Sequence, residues 1–408
     1  MKNFLRLQLC LVGLAALLST SSAQIIEFRA VINAAQETPV NSSPATGTAV
    51  LFYDLATNTF NLSITLNGFA NTLTNSHIHE GLPGVAGGVV TGLGAEAAYT
   101  RSGSTLTATF RGLTHGGDRL KLLQNGAYLN FHTAAYPGGE VRGQLIAQPK
   151  RLTALIDVAQ EQAALPATTI NSRAFGAALI SYNPGTSKIT FSICVYAFTN
   201  TFSNSHFHEG APGVSGPVVH GIGAASVYNV AGGVISKTFS DQTYGGDPIR
   251  LLTGGTYLNF HSNVYAGGEI RGQVLSSDET PSSRLANAST RGLAGAGDQA
   301  LITGFVVQGP EPVGVVIGAR GPSLTRFGVA GAVADPALTI YDSRGLLVAS
   351  NDNQALGFTT SAPPFYDAKD AALRLILPPG VYTVVINGVG GVPGVALGEI
   401  TEDRNPSL

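Results

Sequence analysis

The chain has 408 residues, a formal net charge of −2, 12% charged side chains, 51 Gly, 21 Pro and no Trp. A near-neutral chain without a cluster of either sign argues against nucleic acid or a polybasic membrane surface as partner. So much Gly and Pro points to short strands and tight turns instead of helices, and the length allows about two to four domains.

The N-terminus reads as an export signal. Lys2 and Arg6 precede the apolar run Leu7 to Leu18, and Ser21-Ser22-Ala23 puts small residues where a signal peptidase cuts, so residues 1–23 are expected to leave before Gln24. The run is shorter than the roughly 18 apolar residues a membrane span needs, and no other segment reaches that length. The mature chain is therefore expected to carry no membrane span and to reside outside the cytoplasm: secreted, periplasmic or at the cell surface. Losing Lys2 and Arg6 leaves 21 basic against 25 acidic side chains, a charge of −4. Cys194 is then the only cysteine; inside the strand-like run Ile189 to Tyr196 it reads as a buried, inert thiol.

Period-two alternation marks strands over Thr48 to Tyr53 and Thr59 to Leu66, the second ending at Asn67-Gly68. Such runs recur at about ten-residue spacing, which predicts an all-β sandwich or barrel.

The strongest signal is an internal repeat. Thr74 to Gly84 recurs as Ser203 to Gly213 with 8 of 11 positions identical, and Tyr128 to Gln144 recurs as Tyr257 to Gln273 with 12 of 17 identical, both at an offset of 129. Upstream, Ala35-Gln36-Glu37 matches Ala159-Gln160-Glu161 at an offset of 124, so the second copy carries five extra residues before Gly176, in a loop-like stretch.

These motifs carry a family resemblance. Ala-Gln-Glu, then Ser-His-x-His-Glu-Gly-x-Pro-Gly, then Asn-Phe-His followed by Gly-Gly-Glu-x-Arg-Gly-Gln, resemble the CHRD domain named after chordin, over residues 24–149 and again over 150–277. The resemblance implies an extracellular all-β module found in bacteria and animals, and brings no established reaction with it.

Six of the eight histidines fall on equivalent positions: His77, His79 and His132 in the first copy, His206, His208 and His261 in the second. Residues i and i+2 of a strand share a face, so each His-x-His pair presents two imidazoles to one point. A third imidazole from a neighbouring strand completes an open three-His site suited to Cu or Zn. The competing account is structural: each imidazole bonds backbone carbonyls and pins a loop. His115 takes the place of Tyr244, and His220 that of Thr91, so neither is shared. Glu140 with Arg142, and Glu269 with Arg271, are also i and i+2 and are expected to pair as ions along the last strand. Glu80 and Glu209 point to the opposite face if the strand continues past the histidines. Asp118 and Asp247, each after Gly-Gly, fit turn positions.

From about residue 278 to 288 the composition turns polar and reads as a linker into a third domain, 289–408. Short apolar runs at Leu301 to Val307, Val313 to Ile317, Leu338 to Tyr341, Leu346 to Ala349, Leu373 to Leu377 and Val381 to Ile386 predict a β-sandwich. Ser289-Thr290-Arg291-Gly292, Gly318 to Leu324, Asp335-Pro336 and Ser350 to Asn353 make this region similar to pre-peptidase C-terminal domains of exported bacterial proteins. Asp335, Asp342, Asn351 and Asp352 offer oxygen ligands to Ca²⁺, although polar turns explain them better.

No complete nucleophile, acid–base or phosphate-loop pattern is visible. The sequence favours a binding or adhesion protein for an extracellular protein or glycan, without enzymatic activity; the alternative is a metalloprotein, redox-active or not, with one three-His site per repeat.

Overall fold

The computed structural model describes residues 24–231, 234–277, 287–354 and 365–403; the expected signal segment and positions 278–286 of the expected linker lie outside these. The first repeat contains β1 Ile25–Asn33, β2 Thr46–Asp54, β3 Thr59–Asn67, β4 Leu73–Glu80, β5 Val89–Gly92, β6 Thr100–Ser102, β7 Thr105–Thr114, β8 Ala127–Thr133, β9 Val141–Gln144 and β10 Ile146–Ala147. All pairings are antiparallel, in the order β5-β4-β8-β9-β1-β2-β3-β7-β6, with β10 beside β1. Alternation dictates this: Phe28, Leu51, Leu62, Ile64, Leu106, Ile78, Leu129 and Phe131 all turn to one side and are buried. The sheet curls over that core as a half-barrel. Tyr99, just before β6, meets Phe131 of β8 edge-on at 6.5 Å, and its hydroxyl lies 2.8 Å from Ser76 Oγ of β4.

The second repeat reproduces the order with β11 Lys150–Asp157, β12 Phe175–Asn183, β13 Lys188–Tyr196, β14 Phe202–Glu209, β15 Val218–Gly221, β16 Asn229–Ala231, β17 Val234–Thr243, β18 Thr256–Ser262 and β19 Ile270–Ser276. A short helix follows the sixth and seventh strands of each copy: α1 Arg119–Leu123 in the first, α3 Pro248–Leu252 in the second. Between them in chain order, α2 Val158–Ala164 replaces the single 3-10 turn Ala34–Gln36 of the first copy. Asn33 and Asp157 cap these turns alike, each side chain accepting an N–H three residues on. The five extra residues fall between Glu161 and Gly176, a span that takes in the last turn of α2 and the loop to β12.

The third domain is a sandwich of two four-stranded sheets. Its strands are β20 Asn287–Ala294, β21 Leu301–Val307, β22 Val313–Arg320, β23 Pro336–Asp342, β24 Leu347–Asn351, β25 Ala371–Leu377, β26 Gly380–Gly388 and β27 Gly394–Glu402, ordered β20-β27-β22-β25 and β21-β26-β23-β24. All six expected strands are present. β20 and β27 were not anticipated, and β20 takes in Asn287 and Ala288 of the expected linker by pairing Asn287 with Thr401. The four candidate Ca²⁺ ligands serve turns and ion pairs. Asp342 accepts the N–H groups of Arg344 and Leu346, Asn351 those of Asp352 and Asn353, Asp352 the Asn353 amide, and Asp335 the Lys369 ammonium.

The two repeats differ on one outer face, and chemistry explains it. Thr46, Thr48 and Asn67 of the first copy are exposed; their counterparts Phe175, Ala177 and Tyr196, with Leu179 and Cys194, join the apolar cluster of the third domain, meeting it at Ile376 and Gly314. The Tyr196 hydroxyl donates to the Ile376 carbonyl at 2.8 Å. Cys194 is buried in this seam, and burial raises its thiol pKa, as the inert-thiol expectation requires.

Candidate metal centre

Register brings the predicted histidines together. Across β4 and β8, His77 lies opposite Asn130, His79 opposite Tyr128 and Asn75 opposite His132. Because Ile78, Leu129 and Phe131 face the core, His77, His79 and His132 share the outer face of the sheet. The ring centroids are 5.4 Å apart for His77–His79, 5.1 Å for His77–His132 and 5.9 Å for His79–His132. In the second copy the corresponding separations are 5.5, 5.1 and 5.9 Å. In each triad one ring nitrogen per residue lies within 4.8 Å of the others.

The hydrogen bonds fix which nitrogen faces inward. His79 Nδ1 is 2.9 Å from the Gly87 carbonyl and His132 Nδ1 is 3.0 Å from the Pro137 carbonyl. A carbonyl only accepts, so each Nδ1 carries the proton and each Nε2 keeps its lone pair. Those Nε2 atoms, and His77 Nδ1, are buried without a partner. His208 and His261 repeat the pattern toward Gly216 and Ala266 at 2.9 and 3.0 Å. In that copy His206 Nδ1 and His261 Nε2 stand 3.3 Å apart. That is within hydrogen-bond distance, and it also equals the roughly 3.3 Å separation of two nitrogens bound tetrahedrally to one Zn at 2.0–2.1 Å. Burial, with neighbouring histidines adding to it in most cases, lowers the pKa of His77, His79, His206, His208 and His261, which keeps them neutral and able to ligate.

The supporting shell is duplicated as well. His79 stacks on Tyr128 with centroids 5.0 Å apart and planes 13° apart, and the Tyr128 hydroxyl accepts the Gly87 N–H at 3.0 Å. Gly87 has to be glycine: a Cβ there would come within 1.7 Å of the Glu80 carbonyl, and that close approach is what aims the Gly87 carbonyl at His79. Arg142 donates to the Leu82 and Val85 carbonyls, tying the loop that follows β4 to the sheet. Asn130 sits between His77 and Arg142 in one cross-strand row.

Other expectations resolve differently. Glu140 and Arg142 do not pair: the Glu140 carboxylate accepts from Ser43, Asn71 and Thr133, while Arg142 turns to the loop carbonyls and Gln144. Glu140 precedes β9, so the i, i+2 geometry of a continuous strand does not apply. Glu269 likewise bonds Ser172 and Asn200, and Arg271 bonds Val214, Ala211 and Gln273. Glu80 ends β4 pointing away from the histidines, and accepts from the Asp118 N–H and the Lys121 ammonium. Asp118 and Asp247 are N-caps of α1 and α3, one step beyond the turn role expected of them. His115 and His220 lie outside both triads, against Tyr53 and against Phe207 and Tyr244 respectively.

One residue escaped notice as chemistry. Glu37, the acid of the Ala-Gln-Glu motif, is 5% exposed with Oε1 unpartnered, and burial raises its pKa to about 7 against the pull of Arg142. Glu161 is its buried, upshifted equivalent. The motif's recurrence in both copies was the available signal.

The CHRD domain family matches residues 28–145 and 152–274, both copies of this arrangement. The chain belongs to the CHRD domain family. Among curated proteins nothing matches it. Among solved structures, it is similar to the pre-peptidase C-terminal domain of collagenase from Bacillus anthracis, at 14% identity over 28% of this chain and 89% of that one, with a TM-score of 0.20. It is also similar to exo-beta-1,3-galactanase from Phanerochaete chrysosporium, at 10% identity over 87% of this chain and 78% of that one, with a TM-score of 0.16. Superpositions this poor bear on neither fold nor function. No helix among the described residues of this CHRD protein is long and apolar enough to cross a membrane.

Proposed function

We propose that each CHRD repeat holds one divalent transition-metal ion, Cu or Zn, on His77, His79 and His132 in the first copy and on His206, His208 and His261 in the second. The observation that carries this is the fixed tautomer: Nδ1 of His79 and His132 is tied to a carbonyl while Nε2, buried and unpartnered, turns to the shared point. Metal-bound histidines have this second-shell arrangement, and three neutral nitrogen donors suit Cu or Zn better than hard cations. Three protein ligands leave a further position open on the ion, and His77 and His132 are only part-buried, so that position meets solvent. The export expected from residues 1–23, in keeping with an extracellular family type, supports sites that meet metal outside the cytoplasm.

Metal analysis of the purified mature chain tests this. Two equivalents of Cu or Zn per chain are expected, falling to one in a His77→Ala/His79→Ala double variant. A folded chain that binds neither metal, with melting unchanged on adding them, overturns the proposal.

The binding or adhesion reading, for an extracellular protein or glycan, rests on three β modules in a row. A surface feature of the third domain favours it independently.

A further inference from the structure

The outer face of the sheet β20-β27-β22 carries a trough. Cross-strand pairing sets its floor: Ser289 opposite Glu399, Arg291 opposite Leu397, and Leu397 opposite Arg320. The 3-10 turn Pro322–Phe327 forms one wall, and with Val329 and Tyr366 it closes a cavity of about 520 Å³. Two aromatic rings stand at its edge, Phe327 68% exposed and Tyr366 44% exposed, with centroids 6.3 Å apart. Arg326 lies over Tyr366 at 5.0 Å. The Arg320 guanidinium pairs with the Glu399 carboxylate at the floor. Arg291, by contrast, has no hydrogen-bond or ion-pair partner among the described residues. Arg291 and Arg320 thus line the trough beside one carboxylate, Glu399, with Arg326 next to it over the Tyr366 ring.

We propose that this trough binds an acidic polysaccharide, seating one uronate residue with its carboxylate on Arg291 and its pyranose face against Phe327 and Tyr366. A guanidinium is planar and matches a carboxylate with two parallel N–H donors, and charge complementarity at a locally positive site selects an anion. Exposed aromatic rings offer a large rigid apolar surface that the C–H face of a sugar covers. Glu399 retains acceptor sites beyond those engaged by Arg320, and with Ser289 it receives sugar hydroxyls. An acidic peptide satisfies the arginines but brings no row of neutral hydroxyl donors to Glu399, so the glycan fits the set better.

The test titrates the full-length mature chain with a galacturonate hexamer by calorimetry, alongside its methyl ester and an oligoglutamate of equal charge. Binding of the hexamer is expected, weakened at least tenfold by Arg291→Gln, by Phe327→Ala and by methyl esterification, and reduced by added salt. The His77→Ala/His79→Ala variant should bind it unchanged, which separates this site from the metal centres. Both substituted side chains are exposed, and a preserved melting temperature certifies the fold. No hexamer binding by the folded chain, binding indifferent to Arg291→Gln, or oligoglutamate binding as tightly as the hexamer each overturns the proposal.

Discussion

Arg142 holds its guanidinium carbon 3.4 Å from the centre of the Tyr128 ring, and Arg271 repeats the contact on Tyr257 at 3.4 Å. Tyr128 also stacks on His79, so a buried cation, an aromatic ring and a candidate metal ligand form one connected unit. The same guanidinium binds the carbonyls of Leu82 and Val85, in the loop whose Gly87 orients His79.

Removing Arg142 therefore acts on stability and on the site together. Arg142→Leu leaves two loop carbonyls and Gln144 short of their donor, and should cost about 2–4 kcal/mol. Metal affinity of the first copy should drop at least tenfold while the second keeps its own. Chemical denaturation read beside metal titration checks both; a loss of stability with undiminished first-site affinity would separate the loop from the site.

The pH dependence of metal binding follows from the depressed histidines. Protons compete with metal only where imidazole is charged, and the lowered pKa of His77, His79, His206, His208 and His261 moves that competition below pH 6.5. Full loading is expected at pH 7, with release as acidity increases past the histidine range. Metal lost on going up from pH 6 to 8 would contradict it. The readout is bound metal after equilibrium dialysis across pH 5–8.

Glu37 makes the opposite contribution to folding. Its pKa rises from 4.5 to about 7, so its favourable protonated form is fully present below pH 4.5 and is lost as pH climbs through 7. Glu37→Gln removes that dependence. The variant should melt higher than the parent at pH 8, by about 1 kcal/mol after allowing for solvent screening, and alike at pH 5. Melting curves at the two pH values decide; an advantage at pH 5 that vanishes at pH 8 would rule the assignment out.

The seam between the second repeat and the third domain rests on Tyr196. Truncating a fully buried aromatic side chain costs about 3–5 kcal/mol, and Tyr196→Ala also strands the Ile376 carbonyl. Calorimetry should show the third domain melting earlier, with both metal sites still loaded. Identical thermograms for variant and parent would mean the seam contributes nothing.

Much of this was legible in the sequence because periodicity and duplication are local signals. Leu301–Val307 matches its apolar run end to end, and β2 and β3 lie where Thr48 to Tyr53 and Thr59 to Leu66 alternate. The third histidine was found because the offset of 129 held from His77 through His132. What escaped depends on contacts distant in the chain. Glu37 is buried by Gly139 and Asn130, about a hundred residues away, and nothing local marks an acid as buried. Glu140 and Arg142 looked like a pair because spacing alone does not reveal where a strand begins. β20 and β27 hold each other in register across the whole third domain, and their Gly- and Thr-containing segments carry little apolar pattern of their own.

The exchange of Thr46, Thr48 and Asn67 for Phe175, Ala177 and Tyr196 gives the duplicated pair a direction. Only the second copy can be followed by the sandwich, so the order of modules is written into one sheet surface and the copies are not interchangeable. A fragment stopping at residue 277 would present that oily strip to water and should self-associate, which makes the third domain a built-in cover for the second repeat.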